Sequence, residues 1–74
     1  MRVTIKLFAT FREGRFIREE RALAEGTTAG HVVDSLGIVR DDVGVTMINS
    51  RHCSFDTVLR EGDTYSIFPV IGGG

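Results

Sequence analysis

The sequence predicts an α+β fold: one mixed sheet of four to five strands, crossed by a single helix and followed by a flexible C-terminal tail. Three observations lead there. Apolar and polar residues alternate from Arg2 to Thr10, which is the period of a half-buried strand. One short stretch, Thr28 to Gly37, carries helical spacing with start and stop signals. A final apolar strand, Thr64 to Val70, runs straight into Gly72-Gly73-Gly74.

In the first strand Val3, Ile5, Leu7 and Ala9 share one face, and the opposite face is polar except for Phe8. Phe11 to Arg15, with Gly14, reads as a turn. Phe16 to Leu23 reads as the return strand of a hairpin. Its charged run Arg18-Glu19-Glu20-Arg21 suits a sheet edge, where charge discourages unwanted pairing. Ala24 to Thr27 is a loop. The Thr28 hydroxyl can cap a helix whose Val32, Val33 and Leu36 fall on one side. Gly30 inside that helix costs roughly 1 kcal/mol relative to alanine. Gly37 suits a left-handed stop, with Ile38 folding back onto the last turn.

Val39 to Asp42 is a polar link and Val43 to Ile48 a third strand. Asn49-Ser50-Arg51 turns the chain into a short strand at His52-Cys53. Ser54 to Leu59 is irregular, with Phe55 and Leu59 as core anchors, and Glu61-Gly62-Asp63 is a tight turn. Pro69 lacks an N–H, so pairing of the last strand should fail near it. A hairpin, a crossover helix and a last strand beside the first make one sheet with a helix across it. The division is one domain, 1–71, and a glycine tail, 72–74.

Composition narrows the function. At 74 residues there is room for one small core and little length to wall off a deep catalytic pocket. The formal charge is −1, and the arginines near residues 12–18 are interleaved with glutamates as a solvated mixed-charge face, so the basic footprint of nucleic-acid binding is missing. A single cysteine, Cys53, forbids an internal disulfide and suits the cytoplasm. No apolar run approaches membrane-spanning length.

Other constellations are weaker. His52 and Cys53 are adjacent strand residues facing opposite ways, so they do not share a metal ion, and Cys53 reads as a small buried filler. His31 and Ser35 lie one helical turn apart without an orienting group. Asp41-Asp42 and Glu19-Glu20 read as solvated charge. The glycine triplet is no phosphate loop, because no helix follows it.

What remains is the tail. Glycines have no side chains to pack, so the triplet is expected to project as a thread that enters a narrow channel in a partner. The terminal carboxylate of Gly74 is then sterically open to activation.

The opening Met1-Arg-Val-Thr-Ile-Lys-Leu-Phe-Ala-Thr-Phe-Arg-Glu13 resembles that of the molybdopterin synthase small subunits. The close, Leu59-Arg-Glu-Gly-Asp-Thr-Tyr-Ser-Ile-Phe-Pro-Val-Ile-Gly-Gly-Gly74, resembles that family and the thiamine sulfur carriers. Both are ubiquitin-like β-grasp proteins, and the resemblance covers essentially the whole chain.

It implies a sulfur carrier rather than an enzyme. An E1-like adenylyltransferase would activate the Gly74 carboxylate with ATP and magnesium, neither held by the domain itself. Sulfur would then displace AMP to leave a thiocarboxylate. The recipient would be a molybdopterin synthase large subunit or a thiazole synthase. The hairpin favours the first pathway and the brevity after the helix the second; the end has three glycines where the simplest family pattern has two.

Two other functions fit the same tail: a protein modifier conjugated to lysines through Gly74, or a non-catalytic binding module. Alternation puts Phe8 and Phe68 side by side on the outer face, exposed as a docking patch or covered by a loop or a second copy. With Val70 and Ile71 they are the expected partner-binding residues; Gly72 and Gly73 thread the channel.

Overall fold

Alternation in β1 (Arg2–Leu7) sends Val3, Ile5 and Leu7 into the core, each no more than 1% exposed. The computed structural model describes residues 1–71. It continues with β2 (Arg18–Ala22), α1 (Ala29–Ser35), β3 (Val43–Ile48), β4 (Arg51–His52) and β5 (Thr64–Pro69). The five strands form one sheet in the order β2-β1-β5-β3-β4. β1 and β5 run parallel, and the other three pairings among the described residues are antiparallel. The expected α+β sheet is therefore present, with the charged β2 at an edge and β5 in the middle.

Helix α1 lays Ala29, Val32 and Val33 on the sheet face formed by β1, Tyr65 and Ile67; Leu59 and Ile38 close the core. Seven residues do not hold a helix in water, so its ends and its packing stabilise it. The Thr28 hydroxyl accepts from the His31 backbone N–H at 3.2 Å, and the Thr28 N–H donates back to His31 Nδ1 at 3.3 Å. This is a capping box with histidine in the place usually taken by Glu or Gln. At the other end Gly37 takes φ +74°, and Ile38 N–H donates to the Val33 carbonyl at 3.2 Å, the six-to-one bond of a Schellman stop.

Several local expectations are corrected. β1 ends at Leu7, not Thr10. Ala9 turns out to solvent at φ +51°, a 3₁₀ turn follows (Ala9–Arg12), and Phe11 takes the core place expected of Ala9. Phe11 removes far more apolar surface from water than a methyl group would. Arg12 Nε donates to the Leu7 carbonyl at 2.7 Å and Arg15 Nε to the Leu36 carbonyl at 3.0 Å, so these arginines fasten the loop rather than forming only a solvated face.

β2 begins at Arg18 rather than Phe16, and the short fourth strand is Arg51–His52 rather than His52-Cys53. The link after the helix contains a second 3₁₀ turn, Arg40–Asp42. Pairing does not fail at Pro69: it lies opposite Val43, and Val70 N–H still reaches the Asp42 carbonyl at 2.9 Å.

Gly30 has a tertiary reason. A Cβ there would lie 2.6 Å from Arg40 Nη2 and 3.0 Å from Phe55 Cβ. Arg40 stacks over the Phe55 ring at 5.0 Å and makes a two-pronged bond to Asp34 at 3.0 and 2.9 Å. That hydrogen bond holds the Asp34 carboxyl below its ordinary value.

Candidate functional site

The site is built where β5 leaves the sheet. Parallel pairing sets Leu7 opposite Ile67, so the next residue on each strand turns to the other face of the sheet. Phe8 and Phe68 meet there with ring centroids 4.1 Å apart and planes 15° from parallel. The Arg12 guanidinium sits 5.2 Å from the Phe8 centroid. It packs over this ring while its Nε holds the Leu7 carbonyl, which fixes the start of the 3₁₀ turn. Both phenylalanines are half-buried, neighbours on the outer face as alternation predicts.

β3 supplies the rest of the face. Its register sets Val45 opposite Phe68 and Met47 opposite Ser66. Val45, Met47 and Phe68, with Gly44, Pro69, Val70 and Ile71, line an apolar groove of about 390 Å³. Gly44 makes it possible: at the bulge in β3, a Cβ would lie 2.7 Å from the Pro69 carbonyl oxygen and 2.9 Å from Val70 Cα. Val70 and Ile71 are 58% and 88% exposed, so apolar surface continues off the end of the strand. Gly72, Gly73 and Gly74 lie outside the described residues.

Sequence reasoning missed Val45, Met47 and Gly44. Alternation within β3 carries the signal, with Thr46 turned inward, but only once β3 is known to border β5.

The side chains that the sequence offered for chemistry are engaged elsewhere. His31 Nδ1 serves the helix cap, and Ser35 Oγ donates to the Val32 carbonyl at 2.8 Å, so the two do not pair. Cys53 is half-buried rather than fully buried, and its backbone holds Thr46: the N–H donates to the Thr46 carbonyl at 3.1 Å and the carbonyl accepts from Thr46 Oγ1 at 2.8 Å. Among the described residues no three His, Cys, Asp or Glu side chains group as metal ligands, and no helix is long and apolar enough to cross a membrane.

The model of the ThiS family matches residues 5–74. A sequence comparison with curated proteins finds no match. Among solved structures, the HVO 2177 protein of Haloferax volcanii is similar with a TM-score of 0.79 and 29% identity, over 100% of this chain and 87% of that one. A putative molybdopterin converting factor subunit 1 from Pyrococcus furiosus gives a TM-score of 0.77 and 27% identity, over 96% and 99% of the two chains. A complex of subunits 1 and 2 of molybdopterin-converting factor from Helicobacter pylori contains a chain with a TM-score of 0.67 and 17% identity, over 100% of both, a likeness of fold alone.

Proposed function

This chain belongs to the ThiS family of ubiquitin-like β-grasp proteins, and on that footing we propose that it is a sulfur carrier acting with partner enzymes in the cytoplasm. The observation that carries the proposal is the position of β5. Held between β1 and β3, it delivers Pro69, Val70 and Ile71 to the rim of an apolar face. A partner gripping Phe8, Phe68 and the groove has Gly74 within three residues of that rim, a span of at most about 10 Å.

A carboxylate has no good leaving group. The Gly74 carboxylate oxygen therefore attacks the α-phosphate of ATP on an E1-like, magnesium-dependent partner, and pyrophosphate leaves. A sulfide equivalent from a donor then attacks the acyl carbon, AMP leaves, and a thiocarboxylate results. The chain contributes a docking face and a side-chain-free terminus, and the partners contribute catalysis. The loaded terminus gives its sulfur to a synthase that makes a cofactor of the molybdopterin or thiamine type. The Pyrococcus likeness supports the molybdopterin type, and a larger synthase subunit is then the proposed recipient.

The test is incubation with the E1-like enzyme, ATP, magnesium and a sulfur donor, followed by mass-spectrometric sequencing of the C-terminal fragment. Intact mass does not suffice, because oxidation of Met1, Met47 or Cys53 nearly equals an oxygen-to-sulfur exchange. Sulfur on Gly74 is expected, and none after deletion of Gly74, with the melting temperature unchanged. Sulfur acceptance by the deleted chain overturns the assignment of Gly74. An unmodified terminus with an enzyme active on its own carrier, alongside isopeptide links from Gly74 to lysines in extracts, would make the chain a modifier instead.

A further inference from the structure

The face that carries Phe8 also carries two cations that the fold itself does not need. Lys6 of β1 is paired in register with Arg18 of β2. Leu7 N–H donates to the Ile17 carbonyl at 3.0 Å, and Leu23 N–H to the Met1 carbonyl at 2.7 Å, so odd-numbered residues of β1 are the hydrogen-bonded ones. Lys6 and Arg18 are thus a non-hydrogen-bonded pair, the closer of the two kinds, in which side chains crowd most. Like charges directly opposite each other destabilise a sheet.

Neither cation is in an ion pair among the described residues, although Glu20 is the same-face neighbour two positions from Arg18. The ion pairs there are Arg21–Glu19 and Arg40–Asp34, and neither includes Lys6 or Arg18. On its other side Lys6 faces Ser66 of β5, a hydroxyl. Two positions along the strand stands Phe8, with the Arg12 guanidinium over it. The apolar face therefore has a cationic border on the β2 side.

Glu20, opposite Thr4, and Glu61, whose carboxylate accepts from Arg2 N–H at 2.9 Å, lie farther down the strands. With the chain's formal charge of −1, they make the face a poor match for a long polyanion such as a nucleic acid.

We infer that Lys6 and Arg18 form an electrostatic guide for the activating enzyme, whose docking surface places carboxylates beside the pocket that receives Phe8 and Phe68. This rests on the sulfur-carrier reading. An activating enzyme must capture each carrier and then release it. Opposite charge at the rim raises the association rate without slowing release, which suits that cycle.

The experiment uses the full chain and the E1-like enzyme, with stopped-flow association measured across a salt series. Wild-type association should slow as salt rises. K6E/R18E should bind about tenfold more slowly at low salt, reverse the salt dependence so that association quickens as salt rises, and raise KM for loading while kcat is kept. Lys6→Gln should slow association yet raise the Tm by about 1–5 °C, a gain that a merely structural lysine would not give.

Salt-independent wild-type association, or wild-type speed in K6E/R18E, overturns the inference; if Gly74 is still loaded, the sulfur-carrier reading stands. Failure to load wild-type chain with an enzyme active on its own carrier removes the reading, and the inference with it.

Discussion

Replacing Tyr65 by phenylalanine should make the fold less stable at neutral pH and more stable in strong alkali. Tyr65 is 0% exposed, and its hydroxyl donates to the Ala29 carbonyl at 3.0 Å, tying β5 to the first turn of α1. Losing that bond costs about 1 kcal/mol. Burial pushes the hydroxyl pKa well above its ordinary value of 10.0, with the nearby Cys53 adding to the rise. The group is an acid raised in the folded state. Its stabilisation is whole below the unfolded pKa near 10 and falls as pH rises beyond it, because only the unfolded chain sheds the proton.

The loss is about 1.4 kcal/mol by pH 11 and grows by a similar amount for each further unit until the folded pKa is reached. Wild type and Y65F should therefore cross near pH 10.6, by about RT ln(1 + 10^0.6) against the 1 kcal/mol bond. The difference in stability between the two proteins is the quantity to follow. Urea denaturation between pH 7 and 11.5 measures it. Tyr65 is the only tyrosine and there is no tryptophan, so near-ultraviolet tyrosinate absorbance reports this hydroxyl alone. Absorbance that titrates near pH 10 while circular dichroism still shows the native fold would refute the reasoning.

Two further substitutions test local geometry. Gly44→Ala places a methyl group against the backbone of Pro69 and Val70, which a rotamer change cannot relieve. It should cost about 1–3 kcal/mol, seen as a Tm lower by about 4–20 °C, and an unchanged melt would mean that β3 and β5 are not so close there. His31→Ala removes half of the capping box and should lower the Tm by about 2–8 °C, whereas His31→Gln, which supplies the usual acceptor, should melt near wild type; equal melts for all three would remove the side chain from the cap.

Much of the fold was legible because local signals and tertiary packing agree. The alternation of Val3, Ile5 and Leu7, the Thr28 cap, the Gly37 stop with Ile38 and the turn at Gly62 each specify one arrangement, and the structure uses it. The contact of Phe8 with Phe68 followed from strand parity once the first and last strands were set side by side. The failures come where distant residues decide. Nothing near Ala9 says that Phe11 fills the core better, and local propensity counts against Gly30 although Arg40 and Phe55 crowd the space a side chain would take there. Arg12 looked like solvated charge because its acceptor, the Leu7 carbonyl, is freed only when β1 stops early.

The order of the strands also bears on how the protein is made. β5 emerges last from the ribosome, yet it is the strand on which both halves of the sheet rest. Until it arrives, the β1–β2 hairpin and the β3–β4 pair have no shared neighbour. Each exposes an unpaired edge and an uncovered apolar face. The nascent chain is therefore held back from a stable half-folded form, and the sheet closes in one late step.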